Sequence, residues 1–212
     1  EGVGYELALL EKYTEKQQLL DAIADADAVI IRSDIVDEEV INAGKKLKIV
    51  VRAGAGYDNV DLEAATRAGI CVMNTPGQNS NAVAELVFGL LVFAVRNFYN
   101  GTSGTELMGK KLGIHAYGNV GRNVARIAKG FGMEVSAYDA FCRPEDIKAE
   151  GVNPTCSVKT LYQSCEMISV HIPLTPETKQ VINKELLELM PKDAVLVNTA
   201  RKEVVHEADL LQ

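Results

Sequence analysis

The sequence predicts an α/β protein with mostly parallel sheets, and three observations carry that prediction. Short runs rich in Val and Ile recur along the 212 residues with little polar–apolar alternation, as in strands covered on both faces. Segments of amphipathic helical pattern separate these runs. Several runs end in Gly-rich or polar stretches, and in open parallel sheets ligands bind beyond the carboxyl ends of the strands.

Strands are expected at 6–9, 28–31, 48–51 and 71–73, with helices at 16–24, 37–43 and 62–68 between them, the last capped by Asp61. The composition then changes. "NTPGQNSN" at 74–81 is a polar Pro/Gly loop, and a long apolar helix follows at 82–97. Its continuous apolar stretch, Leu86 to Val95, is ten residues long between Glu85 and Arg96, too short to span a bilayer and suited to burial. A domain boundary is expected in the first loop, giving domains at 1–76 and 77–212, each incomplete. After a soft stretch, "NGTSGT", strands are expected at 112–115, 134–138, 167–170 and 194–197. Helices are expected at 119–130, 147–150, 157–163 and 184–190. Residues 206–212 read as the opening of one more helix without a C-cap. The chain also starts without Met, so both ends are expected to be cut from a longer protein.

Composition narrows the function classes. An apolar fraction of 47% with 24% charged residues is ordinary for a globular protein. The net charge of −7 argues against nucleic-acid or anionic-membrane partners, so an anionic ligand must be held by local arginines and backbone N–H groups. Cys71, Cys142, Cys156 and Cys165 have no C-x-x-C spacing and fit free thiols in a reducing compartment, here read as the cytoplasm. His115, His171 and His206 have no metal-site spacing, none stands by an obvious carboxylate partner, and no metal is expected.

Three strand exits carry chemistry. "HAYGNVGR", 115–122, is a dinucleotide-binding turn with one substitution: Gly118 and Gly121 hold the second and third glycine places, and Ala116 holds the first. Gly118 would let the backbone approach a pyrophosphate at the start of the following helix, and Gly121 would let that helix pack on the strand. Asp139 ends the next strand, where a carboxylate can bind both ribose hydroxyls and repel a 2′-phosphate, favouring NAD over NADP. Ala116 at positive φ should cost about 1 kcal/mol. In "VVRAGAGYDNVD", 50–61, Gly54 and Gly56 are expected to expose consecutive N–H groups as an anion-binding nest, with Arg52 at its mouth and Arg32 at a neighbouring strand end. Together these suit a carboxylate that carries a phosphate tail. In "VNTAR", Arg201 stands just beyond a buried strand, able to hold a carboxylate and polarise its neighbouring carbonyl. The competing readings are a βα turn with two packing glycines, a Gly-rich loop, and a surface arginine.

Together with "NTPGQNSNAVAEL", "ISVHIPLTPETKQVIN" and "AVLVNTARKEVV", these stretches resemble the D-2-hydroxyacid dehydrogenase family over most of the chain from Ala28 onward. The resemblance implies two doubly wound domains, a substrate domain and a Rossmann-type NAD-binding domain. By it, Ala55, Asn119, Val120, Asp139, Ile172, Thr199 and Ala200 would touch NAD. Arg32, Arg52, Gly54 and Asn79 would lie near a small anionic 2-hydroxyacid, and Arg201 would be the catalytic arginine. It implies reversible oxidation of such an acid, with 3-phosphoglycerate favoured over hydroxypyruvate or glyoxylate chemistry, and a homodimer. The same fold also serves NAD(H)-sensing binding modules, the reading from another class. The family's proton-transferring histidine and its glutamate come later in order than Arg201. None of the three histidines here matches that position, so the 212 residues alone are not expected to turn over. The chain departs from the family pattern at His115, Ala116 and Lys202, and in a short segment between Asn100 and Glu106.

Overall fold

Parallel strands require crossover connections, and the chain supplies them as helices. The computed structural model describes residues 4–210, and contacts divide the chain into two units, Glu1–Gln78 and Asn79–Gln212.

In unit 1, β1 (Ala28–Ile31), β2 (Ile49–Arg52) and β3 (Cys71–Asn74) pair parallel in that order. Helices α2 (Glu38–Ala43) and α3 (Leu62–Arg67) form the crossovers, and α1 (Lys16–Ile23) precedes β1. Asp37 and Asp61 cap α2 and α3 by accepting the N–H groups of Val40 and Ala64 at 3.1 and 2.9 Å. Leu19, Ile23, Val40, Ile41, Ala64 and Ala65 share one apolar cluster with Ile31 and Val50, so all three helices cover the same sheet face. On the other face the register aligns Ile30, Val51 and Met73, and Ile30 and Met73 are 72% and 51% exposed. The strands' unbroken apolar runs implied two covered faces. In this unit the described residues cover one.

The strand expected at 6–9 does not form: the segment has no regular structure, and Leu7 and Leu9 are exposed. A strand needs a neighbour's ladder to satisfy its backbone, and none of β1–β3 pairs with it.

Unit 2 opens with α4 (Ser80–Val95). It continues through β4 (Lys111–His115), α5 (Asn119–Gly130), β5 (Glu134–Tyr138), α6 (Pro144–Ala149), β6 (Asn153–Pro154) and α7 (Val158–Ser164). It closes with β7 (Met167–Val170), α8 (Lys184–Leu187), β8 (Val195–Asn198) and α9 (Glu207–Leu210). The strand expected at 194–197 thus sits one residue later, and α8 is shorter than the 184–190 expected. Residues 211–212 of the last expected helix lie outside the described span. The sheet is parallel throughout, ordered β6-β5-β4-β7-β8. One face packs Leu112 and Ile114 against α4 and α5 through Val87, Leu91, Val124 and Ala128. The other packs Ile168 and Val170 against α7 and α8 through Leu161, Tyr162 and Leu186. Strand order reverses at β4, whose neighbours are β5 and β7. That reversal opens a crevice at the carboxyl ends of these strands.

Candidate functional site

The turn after β4 has the shape a dinucleotide requires. Ala116 takes φ +83°, the left-handed conformation expected of the missing glycine, while its N–H donates to the Tyr138 carbonyl at 2.9 Å. Gly118 is the N-cap of α5 at φ −84° and ψ −155°. A Cβ built on Gly118 meets nothing within 4 Å, so the backbone at the helix start is open to an approaching group. A Cβ on Gly121 would lie 2.4 Å from the Ala116 carbonyl oxygen and 3.1 Å from Ile114 Cγ2. Only glycine lets α5 sit this close to β4. The start of the twelve-residue α5 thus presents unpaired N–H groups and the positive end of the helix dipole.

Asp139 is fixed beside this turn. Its Oδ1 accepts the N–H groups of Phe141 and Cys142 at 2.7 and 2.8 Å, and its Oδ2 accepts the Tyr117 N–H at 2.7 Å. Partial burial pushes its pKa up, but the three backbone donors outweigh that and hold it below the usual carboxylate value. One lone pair on Oδ2 remains for a ribose hydroxyl. An ionised, fixed carboxylate and an open helix N-terminus are what an unphosphorylated adenine ribose and its pyrophosphate need, so the residues present fit NAD.

The neighbouring strands end at the same edge of the sheet. After β7, the His171 N–H donates to the His115 carbonyl at 2.9 Å. The His171 ring meets Ser169 Oγ at 2.8 Å through Nε2 and Thr199 Oγ1 at 3.5 Å through Nδ1. His115 Nδ1 lies 3.2 Å from the Tyr162 hydroxyl. Burial pushes both imidazoles down to about 4, so they are neutral near pH 7. After β8, the Asn198 side chain accepts the Ala200 N–H at 2.9 Å and donates to the Arg201 carbonyl at 3.1 Å. This amide clamp shapes the loop that carries Thr199, Ala200 and Arg201. Sequence reasoning missed it, although a strand-end Asn before a loop was visible. Gly118, Asn119, Val120, Gly121, Asp139, Ile172, Thr199, Ala200 and Arg201 therefore all follow the carboxyl ends of β4, β5, β7 and β8. Asn79 is the exposed N-cap of α4. His206, expected to lack a carboxylate neighbour, has Nδ1 2.9 Å from Asp209 Oδ2 at the opening of α9.

In unit 1 the nest expected at Gly54 and Gly56 is not formed as read. The Gly54 N–H is turned back onto the Arg52 carbonyl at 2.8 Å, and the Ala53 N–H onto the Ile31 carbonyl at 2.7 Å. The missing side chain of Gly54 serves another end: a Cβ there would lie 1.3 Å from Arg52 Nη1. The guanidinium lies over the glycine, with its Nε buried and without a hydrogen-bond partner. Asn74 Nδ2 donates to the Ala55 carbonyl at 2.8 Å and ties the exit of β2 to that of β3. Arg32 is exposed directly after β1.

Among the described residues no group of three His, Cys, Asp or Glu side chains could hold a metal ion, and no helix is long and apolar enough to cross a membrane.

Comparison with known proteins bears on both units. Residues 93–212 match the sequence profile of the D-isomer specific 2-hydroxyacid dehydrogenase NAD binding domain. Across 93% of its length the chain is 39% identical to D-3-phosphoglycerate dehydrogenase of Methanocaldococcus jannaschii, of which it spans 40%. It is 37% identical to hydroxypyruvate reductase of Thermotoga maritima over 98% of the chain and 71% of that relative. The NAD+-bound crystal structure of 3-phosphoglycerate dehydrogenase from Entamoeba histolytica superimposes with a TM-score of 0.92 at 46% identity, covering 99% of this chain and 67% of that one.

Proposed function

The chain belongs to the D-isomer specific 2-hydroxyacid dehydrogenase family, and from that premise we propose that it acts in the NAD-dependent oxidation of 3-phosphoglycerate to 3-phosphohydroxypyruvate, a first step toward serine, in the cytoplasm. The observation that carries this reading is the ionised Asp139, held by three backbone N–H groups beside the open backbone of Gly118. In unit 2, Gly118, Asn119, Val120 and Gly121 would bind the pyrophosphate, Asp139 the adenosine ribose, and Ile172, Thr199 and Ala200 the rest of the cofactor. Bound NAD would supply the hydride acceptor. Arg201 would grip the substrate carboxylate and polarise its C2 oxygen. In unit 1, the buried, unpartnered Nε of Arg52 supports an anion-binding role, which Arg32 would share.

Equilibrium binding tests the cofactor assignment first. NADH should bind, and NADPH should bind far more weakly because Asp139 repels a 2′-phosphate. Equal affinity for the two would remove Asp139 from the ribose site. In an active preparation, followed by NADH absorbance, Arg201→Ala should lower kcat steeply, and an unchanged rate would remove Arg201 from the chemistry. The similarity to a hydroxypyruvate reductase favours one second reading, a substrate without phosphate. Arg32→Glu separates the two, since it should impair 3-phosphoglycerate far more than hydroxypyruvate or glyoxylate.

The partner is a second copy of the chain. Leu86, Leu90 and Phe93 are 55%, 41% and 41% exposed at helical spacing on α4, an apolar stripe of the kind that marks an interface. Leu90→Glu should convert the dimer to monomer in sedimentation. An unaltered dimer would exclude this face.

A further inference from the structure

The turn that would receive the pyrophosphate carries a conformational cost at Ala116, and one residue of that turn is anchored through both its backbone and its side chain. Tyr117 is 2% exposed within the core beside α5 and α6. Its N–H donates to Asp139 Oδ2 at 2.7 Å, and its hydroxyl donates to Glu150 Oε2 at 3.0 Å. The Arg122 guanidinium lies 4.9 Å from the centre of the ring and is ion-paired with the same Glu150. Glu150 is itself held at its carbonyl by Lys129. Tyr117 thus joins the turn at one end to the carboxylate after β5, and at the other to the end of α6. Hydrogen bonds to ionised acceptors are among the stronger ones. A rotation of the turn that moved Gly118 would break one or the other.

Neither Tyr117 nor Glu150 needs to touch the cofactor. We infer that they form a positioning pair that holds Gly118 and Asp139 in register, so that one dinucleotide can meet the open backbone and the fixed carboxylate together. The pair offsets the left-handed residue at Ala116, where a glycine would take the same shape without strain. The inference rests on the dinucleotide reading of this turn.

The test measures NADH affinity and the melting temperature of the ligand-free protein for Tyr117→Phe, Glu150→Ala, Glu150→Gln and the Tyr117→Phe/Glu150→Ala double variant. Tyr117→Phe keeps the buried ring and removes only the hydroxyl. It and Glu150→Ala should each weaken NADH binding about fivefold, at temperatures where the protein stays folded. The double variant should bind no worse than the weaker single variant, because one shared contact is lost once. Glu150→Gln keeps an acceptor and should recover most of the affinity. A merely structural bond would lower the melting temperature and leave affinity unmoved. Variants that bind within about twofold of the parent, or losses that multiply in the double variant, overturn the inference alone. A parent protein that fails to bind NADH overturns the dinucleotide reading, and the pair's role with it.

Discussion

Alanine at Gly121 would put a methyl carbon 2.4 Å from the Ala116 carbonyl oxygen, 3.1 Å from Ile114 Cγ2 and 3.3 Å from the Ala116 carbonyl carbon. A backbone oxygen has no rotamer to escape into, so α5 must lift from β4 or the turn must open. Overpacking of this kind costs about 1–3 kcal/mol. The better helix propensity of alanine returns at most about 1 kcal/mol. A net loss of about 1–2 kcal/mol should lower the melting temperature by about 3–8 °C. Gly118, three residues earlier, has nothing within 4 Å of its Cβ position and a φ of −84° that any residue can adopt. Gly118→Ala should therefore leave stability almost unchanged. If the pyrophosphate comes against that backbone, however, it should weaken NADH binding at least about tenfold, the equivalent of about 1.4 kcal/mol. Calorimetry reads the first effect. Energy transfer from tyrosine to bound NADH reads the second, in a chain with seven Tyr and no Trp. Gly118→Ala that binds NADH like the parent would refute the phosphate assignment. Gly121→Ala that melts like the parent would refute the packing argument.

Ala116→Gly relieves a left-handed residue worth about 1–2 kcal/mol and restores backbone freedom to the unfolded chain worth about 0.4–1 kcal/mol. Thermal unfolding should show a net gain between about 0 and 1.6 kcal/mol, with NADH affinity unchanged. Gly54→Ala would drive the Arg52 guanidinium from its seat, because the new methyl would fall 1.3 Å from Nη1. Affinity for the anionic substrate should fall while NADH affinity in unit 2 holds, as calorimetric titration of each ligand would show. Burial holds His115 and His171 at about 4 against an ordinary 6.5, so the unfolded chain binds these protons first as the pH falls. Stability from this source is complete above pH 6.5 and is lost toward pH 4, by roughly 3 kcal/mol for one imidazole. Urea midpoints across that range should follow this slope, and His115→Leu, less stable at neutral pH, should flatten it.

Local chemistry was legible in the sequence, and long-range pairing was not. The Val and Ile runs announced seven of the eight strands because burial in a parallel sheet demands them. The eighth, β6, is two residues long and includes Pro154, too short to leave a pattern. Residues 6–9, Glu-Leu-Ala-Leu, read as a short apolar run but have no β-branched residue and no partner ladder, and an apolar run does not record partners. The spacing of Gly118, Gly121 and Asp139 was visible because a turn, a close helix contact and a strand end each fix a residue type. The direction of the Gly54 N–H was hidden, since glycine permits many φ/ψ pairs and the carbonyl of Arg52 selected one. Tyr117 and Glu150 lie 33 positions apart, so their bond belongs to the folded chain alone.

If Asp139 sets the preference for NAD over NADP, its three peptide donors make that preference expensive to change. An Asp139→Ser replacement, meant to admit a 2′-phosphate, would take two or more acceptor sites from Tyr117, Phe141 and Cys142 and leave their amides facing a shorter, neutral side chain. A part-buried amide left without an acceptor, as at Tyr117 or Cys142, costs up to about 1–3 kcal/mol, and the exposed Phe141 N–H less because water reaches it. On that reading, switching the nucleotide preference would call for rebuilding the loop after β5 in the same step, which would make the selectivity a property of the backbone.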